Sequence, residues 1–93
     1  MKLRIDYSRQ AQKFLDHNGT VLTVAQVDML ITKAMKKLLK MENTNIDVQA
    51  LRGDRRGSYR IRTGKVRIIF SYQSGVVMVV AVVAIDFRGG VYK

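Results

Sequence analysis

Cysteine and proline are absent from this 93-residue sequence, and histidine occurs once, at His17. Without cysteine, the chain has no disulfide, no cysteine-ligated zinc site and no thiol nucleophile. A single histidine excludes a histidine-rich metal site and a conventional Ser-His-Asp triad, and we expect His17 to cap a helix or to face solvent. No proline-rich linker divides the chain, so we expect one domain spanning residues 1–93.

Long apolar runs are also missing. The longest, Val76–Ile85, has ten residues, about half of what a membrane-spanning helix needs. The first residues, Met1–Asp6, alternate between polar and apolar instead of forming the hydrophobic stretch of a signal peptide. We therefore expect a cytoplasmic protein with no membrane partner.

Positive charge, in contrast, is abundant. Lysine and arginine number 17 against 7 acidic residues, which gives a net charge of +10. Such an excess repels itself in a compact fold, and a polyanionic partner would compensate for it. The composition therefore favours nucleic acid as a ligand.

The first half of the chain predicts one strand followed by two helices. Leu3–Tyr7 alternates apolar and polar residues, which is typical of a strand with one buried face. Ser8 can cap a short helix that ends at Asn18-Gly19. Thr23–Gln26 has the spacing of a capping box, and it precedes a long amphipathic helix that extends to Met41.

The second half predicts a loop and three strands. Glu42–Gln49 is polar and is expected to be irregular, and Leu51–Gly57 is a basic loop punctuated by glycine. Tyr59–Tyr72 alternates on both sides of Gly64-Lys65 and predicts a hairpin. Val76–Ile85 is apolar throughout, which predicts a strand covered on both faces. The order β-α-α-β-β-β indicates a small α+β fold, an antiparallel sheet with a helical hairpin on one face.

The hairpin also predicts where its arginines lie. A two-residue turn at Gly64-Lys65 pairs Ile61 with Ile68 on the buried face and places Arg62 opposite Arg67 on the other face. Opposed like charges cost roughly 0.2–1 kcal/mol, whereas a slip of one residue would bury the arginines at a greater cost. Arginine binds phosphate oxygens in a bidentate manner. This face is therefore a predicted phosphate-binding surface, with a solvated basic sheet face as the plainer interpretation.

The same segment resembles a known family. Leu51-Arg52-Gly53, followed by Gly57–Phe70, is similar to the core motif of the RelE/ParE toxin superfamily, the toxin halves of bacterial type II toxin–antitoxin pairs. A valine-rich strand and the closing segment Ile85–Lys93 follow in the family's order, so the resemblance covers essentially the whole chain. It implies the small RelE/ParE-like fold with a basic groove on its sheet. The RelE-like branch is favoured, in which the groove binds mRNA in the ribosomal A site and cleaves it.

The resemblance implies roles for individual residues. In such ribonucleases the ribose 2′-OH attacks the adjacent phosphate while the enzyme neutralises the developing charge. The residues that match catalytic positions are Arg62, Arg67, Arg88 and Tyr92. The first two would stabilise charge, Arg88 would assist the leaving oxygen, and Tyr92 would stack on or orient a base. The residues expected to bind the substrate are Arg52, Arg55, Arg56, Arg60 and Lys65.

Two positions depart from the family's pattern. Phe87 stands where many relatives carry histidine, and Asp86 stands where glycine is common; in addition, the second strand of the motif has no lysine. Arginine, with a pKa above ~12, is a poor general base. The remaining candidates for the base are Tyr92, Asp86, Asp54 and Lys65. Two alternatives therefore stay open: a ParE-like inhibitor of DNA gyrase that acts by binding, and a catalytically degenerate, basic RNA-binding homologue.

The resemblance implies protein and RNA partners but no cofactor and no metal. An acidic antitoxin is expected to wrap the long helix or add to the sheet edge and to neutralise part of the positive charge, forming a hetero-oligomer. The mRNA and the ribosome are the other expected partners. The lysines of the long helix are either a solvated face or a contact with ribosomal RNA. These lysines are Lys33, Lys36, Lys37 and Lys40.

Overall fold

The computed structural model describes residues 2–88 as two helices and a five-stranded sheet. In chain order the elements are β1 (Leu3–Tyr7), α1 (Arg9–His17), α2 (Val24–Leu38), β2 (Asp47–Ala50), a short 3-10 turn (Gly53–Arg55), β3 (Tyr59–Thr63), β4 (Val66–Gln73) and β5 (Met78–Phe87). The strand order across the sheet is β1-β5-β4-β3-β2. The predicted α+β class is confirmed, and both helices pack on one face of the sheet.

Both helices begin at the caps that the sequence predicts. The hydroxyl of Ser8 accepts a hydrogen bond from the amide of Ala11 at 3.1 Å. Thr23 and Gln26 form a complete capping box, with side-chain to backbone distances of 3.2 and 2.9 Å. Helix α2 ends at Leu38 and not at Met41, because Lys40 adopts a left-handed backbone conformation with φ of 58°. That conformation turns the chain away from the helix axis.

The core lies between the helices and the inner face of the sheet. Helix α2 contributes four fully buried side chains, and α1 contributes Phe14, whose ring lies 5.1 Å from the ring of Phe87. The α2 residues are Val27, Ile31, Ala34 and Met35. Burial of each large aliphatic side chain stabilises the fold by about 1.5–3 kcal/mol. The Tyr7 hydroxyl, on β1, donates a hydrogen bond to the Asp28 carboxylate, which ties the edge of the sheet to α2.

The start of α1 is fixed against β5 by side chains that extend the sheet pairing. Strand β1 ends where Tyr7 pairs with Val82. Beyond that point, the Gln10 side chain donates to the Ile85 carbonyl at 2.7 Å and accepts from the Ile85 amide at 2.8 Å. The side-chain amide thus satisfies β5 backbone groups where no strand continues.

The prediction that Val76–Ile85 is covered on both faces is wrong. Strand β5 begins only at Met78, and a bulge between its pairs with β4 shifts the alternation at Val83. Val80, Val82 and Ile85 lie buried on the inner face, whereas Val83 is 45% exposed. An extra residue in one strand lets a continuous apolar run keep one face on the core while the other face stays open.

The sheet also differs from the antiparallel arrangement that the sequence predicts. Strand β1 pairs with β5 in parallel, because two helices carry the chain back before it re-enters the sheet. Within Glu42–Gln49, predicted to be irregular, the residues from Asp47 onwards form β2, which pairs with β3 at the sheet edge. Ile46 and Val48 face inwards there. An edge strand can be polar on its other face because that face need not be buried.

No helix within residues 2–88 is long and apolar enough to cross a membrane.

Candidate nucleic-acid interface

Four strands each place one charged residue in a single row on the outer face of the sheet, opposite the helices. Asp47 pairs with Arg62, Arg62 with Arg67, and Arg67 with Asp86. These four residues are called the charged row below. The predicted opposition of two arginines is confirmed, and an acid flanks it on each side. Opposite charges at paired positions stabilise a sheet, so the acids offset the repulsion between the arginines.

Arg67 and Asp86 form a two-pronged ion pair. The Nε and Nη2 groups of Arg67 donate to the two carboxylate oxygens of Asp86 at 3.2 and 3.1 Å. The side chains are 42% and 44% exposed, respectively, so water screens the attraction. A pair of this kind contributes about 0–1 kcal/mol to stability. The pair therefore orients the guanidinium without being needed for folding.

Asp47 connects two arginines of β3. One carboxylate oxygen accepts from Nε of Arg62 at 3.0 Å, and the other lies 3.5 Å from Nη1 of Arg60. Partial loss of water raises the pKa of Asp47, but the positive charges of Arg62 and Arg60 and their hydrogen bonds lower it further. The net result is a pKa below the ordinary aspartate value. Asp47 is therefore an anion at neutral pH.

Arg60 is the buried member of this surface. Its side chain is only 11% exposed, and its Nη2 group donates to the side-chain oxygen of Gln49, in addition to the contact with Asp47. Long arginine side chains can bury their stem while the guanidinium stays bound to acceptors. The location of Arg60 thus makes it a support for the neighbouring side chains as well as a source of positive charge.

A shallow cleft of about 180 Å³ adjoins the charged row. Four charged side chains line it together with three apolar ones; the charged residues are Arg55, Arg60, Arg67 and Asp86. The apolar residues are Leu51, Ile69 and Ala84. Apolar and arginine side chains together can accommodate a nucleotide, whose base is flat and whose phosphate is anionic.

The remaining predicted site residues lie at separate places. Arg52 lines a different depression with Gln49, and Arg56 is exposed after the 3-10 turn. Lys65 lines a groove on the helix side with residues of α2. The Arg88 guanidinium donates to the Gly64 carbonyl at 2.8 Å, at the β3–β4 turn. The structure therefore brings Arg55, Arg60, Arg62 and Arg67 together, and Tyr92 lies outside the described residues.

No family model matches the sequence, and no curated protein matches it. Solved structures do match: a YoeB/ParE toxin from Agrobacterium tumefaciens superposes with a TM-score of 0.62 at 17% identity, over 96% of this chain and 100% of that one. The chain has the RelE/ParE toxin fold.

Two further structures agree on this RelE/ParE fold. The toxin–antitoxin complex RelBE2 from Mycobacterium tuberculosis matches with a TM-score of 0.59 and 15% identity, over 95% of this chain and 100% of that chain. YafQ from E. coli strain BL21(DE3) matches with a TM-score of 0.57 and 10% identity, over 99% and 100%. At such identities the similarity lies in the backbone, and this chain's chemistry has to be derived from its own side chains.

The two sequence departures point in opposite directions within the RelE/ParE fold. Phe87 packs against Phe14 on the inner side, so its half-buried ring lies against the core. Asp86 points outwards to Arg67 and lines the cleft, whereas the other candidate bases Asp54 and Lys65 do not line it. Among the three predicted bases that lie within residues 2–88, Asp86 is thus the one in the cleft.

Sequence reasoning missed Asp47 and Gln49, which hold the arginines of β3. Both belong to the polar segment that was expected to be irregular. The available signal was a short alternation, in which apolar Ile46 and Val48 are each followed by a polar residue. Within residues 2–88, no three histidine, aspartate or glutamate side chains come together in a way that could hold a metal ion.

Proposed function

We propose that this protein is the toxin of a type II toxin–antitoxin pair and that it cleaves mRNA at the ribosome. The observation that carries the proposal is the adjacent placement of Arg62 and Arg67 in the middle of the outer sheet face, beside a cleft lined by Arg55 and Arg60. Paired guanidinium groups are suited to consecutive phosphates. The RelE/ParE toxin fold supports the same role.

The proposed reaction uses the RNA's own 2′-OH as nucleophile. The 2′-oxygen attacks the adjacent phosphorus, the 5′-oxygen of the next nucleotide leaves, and a 2′,3′-cyclic phosphate remains. Arg62 and Arg67 neutralise the pentacoordinate phosphorane. Asp86 accepts the 2′-OH proton, and the leaving oxygen takes its proton from water. Arg88 keeps its predicted role of assisting the leaving oxygen, for which its guanidinium must exchange the Gly64 carbonyl for RNA.

The other predicted residues extend RNA binding beyond the cleft. Arg52 and Arg56 lie on the exposed loop after β2 and provide positive charge along the RNA backbone, as Lys65 does at the β3–β4 turn. Electrostatic contacts of this kind add affinity without sequence preference. Tyr92 keeps its predicted role of orienting a base. A reaction at the ribosome places the protein in the cytoplasm.

An acidic antitoxin is the proposed protein partner. Two of the matched solved structures are toxin–antitoxin complexes, from Mycobacterium tuberculosis and Methanococcus jannaschii. The present chain carries a net charge of +10 and exposes apolar side chains on α2, including Met29 at 51%. An acidic chain that covers this helix would bury apolar area and neutralise charge together.

A second candidate is a toxin that acts by binding alone, such as an inhibitor of DNA gyrase. It is favoured by the carboxylates that already occupy both arginines of the charged row. A protein that only binds needs neither a general base nor an accessible pair of guanidinium groups. The two candidates differ in whether RNA ends are produced.

The test is cell-free translation with the purified chain, followed by primer extension to map the 5′ ends of the reporter mRNA. Wild-type protein is expected to produce new ends in codon phase. Arg67→Ala is expected to abolish them, because it removes charge from the phosphorane. The matched control is Arg4→Ala, since Arg4 is an exposed outer-face arginine paired with Asp6 at 3.0 Å, and it should leave cleavage intact.

Intact mRNA with unaffected translation would contradict the ribonuclease proposal and direct attention to gyrase. Equal loss of cleavage in Arg4→Ala and Arg67→Ala would contradict a site centred on the charged row. It would indicate instead that only total charge matters.

A further inference from the structure

The charged row is neutral in a protein that is otherwise strongly basic. Its two acids and two arginines cancel, although lysine and arginine exceed acidic residues by ten over the chain. Only 7 acidic residues are present, and two of them lie beside the two arginines that would bind phosphate.

The carboxylates contact the same N–H groups that a phosphate would use. Asp86 accepts from both Nε and Nη2 of Arg67, which is the fork arrangement shared by carboxylate and phosphate ligands of arginine. Asp47 accepts from Nε of Arg62. A phosphate oxygen can reach these donors only if the carboxylates move aside.

The exposure of the pairs allows such an exchange. The side chains of Asp47 and Asp86 are 50% and 44% exposed, so each carboxylate can rotate into water without being buried unpaired. Pairs screened by water are weak, which makes them displaceable by a ligand that carries several phosphates held at a fixed spacing.

We propose that Asp47 and Asp86 are internal competitors, which occupy the phosphate-binding groups of Arg62 and Arg67 until RNA displaces them. The inference rests on the proposed binding of RNA and adds its regulation. An isolated phosphate displaces one carboxylate and gains little. A chain of phosphates that bridges both arginines must displace both carboxylates, so the acids weaken RNA binding at two positions.

A purely structural role for the acids makes a different prediction. If Asp47 and Asp86 only relieve the repulsion between the arginines, their removal lowers stability. It then changes RNA affinity no more than the removal of any other acid does. If they compete with phosphate, their removal raises affinity and makes it more sensitive to salt. RNA affinity therefore separates the two roles.

The experiment compares Asp47→Asn, Asp86→Asn and the double variant with Asp16→Asn. The control removes one negative charge from α1, on the helix side of the sheet. Binding is measured by fluorescence polarisation with a 2′-O-methyl oligoribonucleotide, which cannot be cleaved because its 2′-oxygen is blocked. Thermal unfolding checks that every variant is folded.

Each single variant of the charged row is expected to bind about two- to fivefold more tightly than wild type. The slope of log affinity against log salt concentration is expected to steepen by about 0.7 for each acid removed. Asp16→Asn is expected to change neither quantity appreciably.

The inference is overturned if Asp47→Asn and Asp86→Asn bind RNA no more tightly than Asp16→Asn. Its failure is distinct from that of the proposed function, because the oligonucleotide tests binding and primer extension tests cleavage. Tighter binding by the variants, together with no cleavage by the wild-type protein, supports the competition and contradicts the ribonuclease. Cleavage by the wild-type protein, with no gain in affinity in the variants, supports the ribonuclease and contradicts the competition.

Discussion

The two faces of the sheet are built from the same strands and carry opposite chemistry. On the inner face, β3, β4 and β5 place three isoleucines side by side against the helices. These are Ile61, Ile68 and Ile85. The sequence neighbour of each isoleucine faces outwards and belongs to the charged row. These neighbours are Arg62, Arg67 and Asp86. One register thus fixes both the core and the candidate RNA surface, because a slip of one residue exchanges the faces.

Stability and function are separable in this small protein. All three isoleucines are fully buried, whereas Arg62 and Arg67 are 43% and 42% exposed. Buried apolar groups contribute several times more to stability than exposed ion pairs do. Substitutions on the two faces should therefore have effects of different size on unfolding.

Adjacent residues of β4 give the largest expected difference. Ile68→Ala should lower the free energy of unfolding by about 2–5 kcal/mol, because it removes buried methyl groups and leaves a cavity. Arg67→Ala should lower it by less than about 1 kcal/mol. Urea denaturation monitored by circular dichroism measures both, and similar losses for the two variants would remove the distinction between the faces.

Replacing Arg60 tests whether a buried side chain on the outer face contributes to stability. Arg60→Ala should cost about 1–3 kcal/mol, since Gln49 and Asp47 lose a donor that is largely shielded from water. The matched change Arg62→Ala, on the same strand but exposed, should cost under about 1 kcal/mol. Equal values in urea denaturation would show that the burial of Arg60 has no energetic consequence.

Replacing Tyr7 tests the hydrogen bond that connects strand β1 to α2. Burial, followed by the hydrogen bond to and the negative charge of Asp28, raises the pKa of Tyr7 above its ordinary value. The resulting stability is fully present below the unfolded tyrosine pKa of about 10 and is lost as the pH rises through the folded value. Tyr7→Phe should cost about 1 kcal/mol at neutral pH and reduce this alkaline loss. An unchanged alkaline profile would contradict the assignment.

Asp47 gives the smallest expected effect and the opposite dependence on pH. Because its folded pKa is lowered, its contribution is present above the unfolded aspartate pKa of about 3.9 and is lost as the pH falls through the folded value. Asp47→Asn should therefore flatten the acid side of the profile of stability against pH. Asp16→Asn serves as the control, and identical acid profiles for the two variants would contradict the pairing of Asp47 with the β3 arginines.

Local patterns predicted those features that depend on neighbours in sequence. The caps at Ser8 and Thr23 and the opposition of Arg62 and Arg67 follow from residues within a few positions of one another. The placement of both helices against the core follows from amphipathic periodicity. In each case the same short-range pattern that predicts the element also fixes its geometry.

Features set by distant partners could not be predicted in this way. Strand β2 is polar on its outer side, and its pairing depends on residues of β3 that lie nine to fifteen positions further along the chain. The bulge at Val83 interrupts an apolar run in which every residue suits either face. For the candidate site, the arginines were predicted, but the acids that hold them come from β2 and from the end of β5. Their contact with the arginines depends on sheet order as well as on sequence pattern.

A nuclear magnetic resonance titration determines whether RNA binds on the outer face of the sheet, as proposed. Labelled protein is titrated with the 2′-O-methyl oligoribonucleotide while backbone amide and arginine Nε signals are followed. The largest shifts are expected at Arg60, Arg62 and Arg67. Shifts confined to the lysine-bearing side of α2, with the charged row unaffected, would contradict RNA binding on the outer face.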